Sequence, residues 1–116
     1  MSKKEEKKKN LDKNVFKFLE NYYNIQEYRQ AYDALTDYLK ENTLTLPLII
    51  WKVRLEFQLK KYEDCLNSCN FLLFLQPNNM ECHQIKINVL KIQQKFNCLS
   101  DSLVVAMTLF PNASFS

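Results

Sequence analysis

From Val15 onward, apolar side chains return every three or four residues, the spacing that lines one face of an α-helix. In the first such stretch they are Val15, Phe16, Phe18, Leu19, Tyr22 and Tyr23. A polar break at Asn24 separates it from a second stretch, about Gln26 to Lys40, apolar at Tyr28, Ala31, Leu35, Tyr38 and Leu39. A third helix is expected to start at Pro47, because proline suits a first helical turn, and to run through Trp51 to about Leu59. Its partner spans Tyr62 to Leu75 and stops before Pro77. Ile85, Ile87, Val89, Leu90 and Ile92 mark a fifth helix, and Leu99, Leu103, Val104, Ala106 and Met107 a sixth.

These stretches repeat. Lys61-Tyr62-Glu63-Asp64-Cys65 leads into an apolar helix that ends Leu75-Gln76-Pro77-Asn78. Thirty-four residues later, Lys95-Phe96 leads into one that ends Leu109-Phe110-Pro111-Asn112. The same step backwards from Tyr62 lands on Tyr28. Three units follow, 12–45, 46–79 and 80–113, preceded by a basic segment 1–11 and followed by a short tail 114–116.

With that period, an aromatic opening each second helix, a residue three positions on that is small in two of the units, and a late proline, the chain resembles the tetratricopeptide repeats. The residues carrying the likeness are Tyr28/Ala31, Tyr62/Cys65/Pro77 and Phe96/Leu99/Pro111, and Tyr62–Asn79 is the closest match. It departs from the pattern where Leu19 and Ile87 stand for a small residue, and where Thr43 stands for the first proline. The resemblance implies an all-α, right-handed superhelical stack of three helix-turn-helix repeats, about six antiparallel helices. It also implies a protein-binding concave face built from the first helices, here Lys17, Asn21, Trp51, Arg54, Gln84 and Asn88, with Lys13 at its mouth. One subclass of the family clamps acidic chaperone tails with lysines, asparagines and an arginine. Lys17 and Asn21 have the spacing of the first part of that clamp, and the second and third units do not complete it.

Composition narrows the field. The chain has 116 residues, 47% of them apolar and 25% charged, and contains no glycine. That absence disfavours a β-rich fold with several tight turns and removes Gly-rich phosphate loops. The net charge of +3 resides in residues 1–9, where Lys3, Lys4, Lys7, Lys8 and Lys9 outnumber Glu5 and Glu6. Such a run is a solvated terminus or an arm for an acidic surface, protein or nucleic-acid phosphate. No apolar core follows the N-terminal charges, so no signal peptide is expected, and Leu46–Trp51 is too short to span a membrane. A cytoplasmic location follows, cytoskeletal, axonemal or organellar assemblies being compatible settings.

Catalytic chemistry finds little footing. His83 is the only histidine, and adjacent helical residues point about 100° apart, so it does not face Cys82 as a catalytic pair would. It reads as a surface histidine beside a half-buried thiol. Cys65 and Cys69 share a helix face, yet Cys82 and Cys98 complete no zinc spacing, so core packing is expected and no metal or cofactor. Only Asn112–Ser116 follow the last repeat. The apolar side of the sixth helix, with Val104, Val105 and Leu109, is therefore expected to be covered by a partner or a second copy. The expectation is a non-catalytic scaffold or adaptor, a small subunit of a larger assembly, binding other protein subunits and no small-molecule substrate. The alternative is a co-chaperone-type module that binds peptide tails in its concave groove.

Overall fold

A computed structural model describes residues 3–113, with side chains from Asn14 onward. Over those residues the chain is all-α, with six helices in the order α1 (Lys3–Asn24), α2 (Tyr28–Leu39), α3 (Leu46–Gln58), α4 (Tyr62–Leu75), α5 (Met80–Ile92) and α6 (Phe96–Leu109). Of the basic segment, residues 3–11 belong to the first part of α1, and the helix is interrupted at Asn14, whose φ of −134° and ψ of 37° are not helical. An asparagine side chain competes for nearby backbone groups, which suits it to such a break.

The turns inside the helix pairs are copies of one another. Gln26, Lys60 and Gln94, spaced by thirty-four residues, carry positive φ values of 63°, 61° and 56°. At each, the N–H of that residue reaches back three positions, to the carbonyls of Tyr23, Phe57 and Lys91. The next N–H reaches back five: Glu27 to Tyr22, Lys61 to Glu56, Lys95 to Leu90, at 2.8, 2.9 and 3.0 Å. This pairing is the Schellman cap, which satisfies carbonyls left open at a helix C-terminus. It normally uses glycine, and this chain has none to use.

The ends of the second helices diverge for a covalent reason. Gln76 and Phe110 stand before Pro77 and Pro111, and both are extended, with φ of −134° and −131°. A residue before proline is pushed out of the α region. Lys40 has no proline after it and stays helical at φ −65°. There the Asn42 amide donates to the Tyr38 carbonyl at 2.9 Å and helps close the helix. The α4–α5 loop instead ends in Asn79, whose side chain accepts the Cys82 N–H at 2.9 Å and caps α5.

The chain divides into two compact units, one ending at Leu55 and one beginning at Glu56. In the first, α1 packs on α2, and Val15, Leu19, Ala31, Leu35, Leu48 and Leu55 form the buried core. Tyrosines 22, 23, 28, 32 and 38 pack around it with Trp51. In the second, α4 packs on α5 and α5 on α6. Cys65, Leu66, Cys69 and Leu72 from α4, and Cys82, Ile87, Val89 and Leu90 from α5, are buried there. Ala106 on α6 is wholly buried in one cluster with Ile87. Burying each leucine or isoleucine contributes roughly 1.5–3 kcal/mol.

Two expectations change here. His83 is 5% exposed, not a surface residue, because it occupies the position held by Val15 and Ile49 in the preceding units, both buried. Its Nε2 lies 2.7 Å from the Pro77 carbonyl, and its ring meets Phe110 edge-on at 5.9 Å. Cys82 is 1% exposed, buried and not half-buried.

Glycine at any of the three left-handed positions should relieve a cost of roughly 1–2 kcal/mol, less the roughly 0.5–1 kcal/mol of extra chain entropy glycine brings to the unfolded state. Gln94→Gly is therefore expected to stabilise by about 0.5–1 kcal/mol in urea titrations. Gln94→Val, β-branched at positive φ, is expected to destabilise, and equal midpoints for the two variants would refute the account.

Candidate functional site

The thirty-four-residue equivalence places each residue named from the sequence. Lys17, Trp51 and Ile85 share one position in the first helix of each unit, and Asn21, Leu55 and Val89 share another. Lys17 and Asn21 are exposed, whereas Leu55 and Val89 are fully buried. Trp51 is half-buried, meeting Tyr23 edge-on at 5.5 Å, and Tyr23 in turn meets Tyr28 at 5.2 Å. The Arg54 guanidinium carbon stands 5.0 Å from the centre of the Trp51 ring, a cation–π arrangement that orients both side chains. Trp51 and Arg54 are thus brought together within the first unit. Gln84 and Asn88 are brought together within the second, where the Gln84 amide donates to Asn88 Oδ1 at 3.3 Å. The side chains of Lys13 and of Lys3, Lys4, Lys7, Lys8 and Lys9 lie outside the described ones.

The residues named on α6 fall on two different sides of it. Successive helical residues turn by about 100°, so Val105 and Leu109 lie on one flank and Val104 on the other. Val105 and Leu109 line a shallow, open groove of about 300 Å³, with Leu73 and Pro77 across from them and His83 and Lys86 on α5. Val104 is 63% exposed on the far flank, where Met107, 58% exposed, joins it. Asp101 is the only charged residue in α6. On α4, Phe74 is 81% exposed and Phe71 and Leu75 about half. Phe74 was not named from the sequence, and Met107 was named there only as one of the apolar residues that mark the sixth helix. Helical spacing alone does not say which flank of a largely apolar helix is covered.

Three of the four cysteines are buried and one, Cys98, is exposed. Hydrogen bonds with Cys65 and then Cys82, together with burial, push the Cys69 thiol well above its ordinary range. Cys82 Sγ also contacts the Cys69 carbonyl at 3.4 Å. Such thiols are poor nucleophiles and behave as small core residues. Among the described residues no group of three or more His, Cys, Asp or Glu is arranged to hold a metal ion. Glu56, wholly buried, accepts a hydrogen bond from the Ser68 hydroxyl at 2.7 Å, which links α3 to α4 inside the second unit. Glu63 accepts from Lys95 at 2.7 Å and from Gln93 at 3.0 Å, and those bonds hold its carboxyl below the usual carboxylate range. No helix among the described residues is long and apolar enough to cross a membrane.

Compared with models of known families, with curated proteins and with solved structures, the chain finds no match.

Two outcomes follow from these environments. A thiol reagent such as dithionitrobenzoate should modify Cys98 alone in the native protein and reach Cys65, Cys69 and Cys82 only on unfolding; rapid labelling of more than one thiol would contradict the buried cluster. Glu63 has a lowered folded-state pKa, so its contribution is present above the ordinary value of 4.5 and is lost as pH falls through the folded value. A carboxyl-carbon NMR titration should place its midpoint below 4.5 and return it towards 4.5 in Lys95→Met.

Proposed function

We propose that this chain is a non-catalytic scaffold or adaptor of the tetratricopeptide type, working as a small subunit of a larger protein assembly in the cytoplasm. The observation that carries the reading is the exposed apolar surface of α6: Val104, Val105, Met107 and Leu109 are between 39% and 63% exposed on a helix with one charge. Large apolar side chains facing water on both flanks of one helix are characteristic of a protein contact. The repeated Schellman turns and the thirty-four-residue recurrence of buried positions support the family assignment.

In this reading Lys3, Lys4, Lys7, Lys8 and Lys9 form an electrostatic arm that holds an acidic surface, protein or nucleic-acid phosphate, in a salt-dependent way. The co-chaperone reading draws on Lys17, Trp51 and Arg54. It is the weaker of the two, since the position of Asn21 is filled by buried Leu55 and Val89 in the other units. Such a peptide-tail clamp would then lack its counterpart asparagines.

Affinity purification of the tagged protein from its native source, with mass spectrometry of what accompanies it, tests the proposal. One stable complex is expected, lost in the Val104→Asp/Leu109→Asp double variant. Recovery of chaperones, lost in Lys17→Ala/Asn21→Ala, would favour the groove. A fully folded monomer that binds no hydrophobic dye would overturn the scaffold reading.

A further inference from the structure

His83 is 5% exposed, and its two ring nitrogens differ in what they meet. Nε2 lies 2.7 Å from the Pro77 carbonyl, and a carbonyl only accepts, so Nε2 carries the proton. The neutral ring keeps Nδ1 as an acceptor, and among the described residues nothing donates to it. Nor is Nδ1 sealed in. Among the described residues the one fully enclosed side-chain nitrogen or oxygen without a partner is Gln93 Oε1, so Nδ1 reaches open space. The open space that His83 borders is the groove between α4 and α6, lined by Leu73, Pro77, Val105 and Leu109. Packing alone does not call for an imidazole here, because Val15 and Ile49 fill the same position in the preceding units. An acceptor on a side chain more than nine-tenths buried thus opens into an apolar groove.

Size and charge narrow what fits. The groove holds about 300 Å³, the bottom of the roughly 300–1,000 Å³ range of ligand pockets, which suits one large side chain and not a cofactor. Along α6 it runs from Leu109 to Asp101, roughly 12 Å. Its far end carries Lys86 and Asp101, one charge of each sign, so neither an anion nor a cation is preferred there. What remains to be recognised is an apolar body with one hydrogen-bond donor. Among side chains, the phenol of tyrosine and the indole of tryptophan have that form. Phenylalanine lacks the donor.

We propose that this groove receives a tyrosine or tryptophan side chain of a partner protein, its ring between Pro77 and Leu109 and its O–H or N–H donating to His83 Nδ1. The inference rests on the scaffold reading and names the anchor by which the partner is held. Aromatic side chains with a polar tip are the commonest such anchors, because they bury a large ring and satisfy one polar group together. A second copy of the chain does not supply one. Of its six tyrosines, five pack with the single tryptophan, Trp51, around the core of the first unit, and Tyr62 meets Phe57 edge-on.

The test titrates the isotope-labelled full chain with the N-acetyl amides of tyrosine, tryptophan and phenylalanine, followed by NMR. His83 is the only histidine, so its ring nitrogens report on the groove directly. Saturable shifts of Nδ1 are expected, with the tyrosine and tryptophan amides binding at least about threefold more tightly than the phenylalanine amide, which has no donor. Leu109→Asp should weaken the tyrosine amide at least about fivefold and Met107→Asp, on the opposite flank, should leave it unchanged, with circular dichroism confirming that both variants fold. No saturable shift, equal affinity for the tyrosine and phenylalanine amides, or binding indifferent to Leu109→Asp would each overturn the inference. In the native complex, photoleucine in place of Leu109 should crosslink the chain to another polypeptide, and a crosslink within the chain itself would overturn the assignment to a partner. A native complex that survives Leu109→Asp but not Val104→Asp would overturn the inference while leaving the scaffold reading in place.

Discussion

Every helix pair in this chain depends on one backbone interaction, the N–H of Glu27, Lys61 or Lys95 reaching back five residues to the carbonyl of Tyr22, Glu56 or Leu90. That bond closes only if the intervening residue turns left-handed, and here two glutamines and a lysine do so in a chain without glycine. The steric cost is offset because the turn satisfies carbonyls that would otherwise be open at the helix end. It also reverses the chain, and in the first and third pairs the two helices pack on each other. Aromatic pairs brace the turn in the first two units, Tyr23 with Tyr28 at 5.2 Å and Phe57 with Tyr62 at 6.5 Å. In the third, Lys91 stands at that position and Phe96 is 65% exposed.

With the backbone of the turn held constant, the side chains at equivalent positions are free to drift. Tyr22, Glu56 and Leu90 occupy one position with three different chemistries. Glu56 is tolerated in full burial because the position opposite it carries Ser68, whose hydroxyl donates to the carboxylate. The neighbouring units place Ala34 and Ser102 at that opposite position, where no such carboxylate needs a donor. Likewise Tyr38, Leu72 and Ala106 share a position, and the alanine packs with Ile87 where α5 meets α6. The same geometry is thus filled by different volumes, which a close-packed interior accepts when neighbouring volumes compensate.

Where equivalent positions differ in exposure, the difference marks a surface that a neighbour covers in one unit and leaves bare in another. Leu55 and Val89 are buried while Asn21, polar, is exposed; Leu66 is buried while Ser100 is exposed. At these two positions the exposed copy is polar, as water contact requires. At Met107 the exposed copy is apolar, where its equivalent Leu73 is half-buried; Val104 and its equivalent Asn70 are both exposed.

The sequence by itself determined the helices, their pairing and the period. Apolar spacing, the Tyr62 and Phe96 openings and the Pro77 and Pro111 stops are local signals, and local hydrogen bonding obeys them: α4 spans Tyr62–Leu75, the limits its pattern predicts. What tertiary structure alone decided was the side of each helix that finds cover. His83 carries no mark of burial in its own neighbourhood, and only packing at the position of Val15 and Ile49 encloses it and turns its ring to the Pro77 carbonyl. Spacing puts Cys65 and Cys69 on one face of α4, but Cys82 joins them only because α5 packs there, which no spacing along the chain encodes. Val104 and Val105 are neighbours in sequence, yet one lines the open flank of α6 and the other the groove beside α4. A helix turns about 100° between them, and which flank is bare depends on the helices packed alongside.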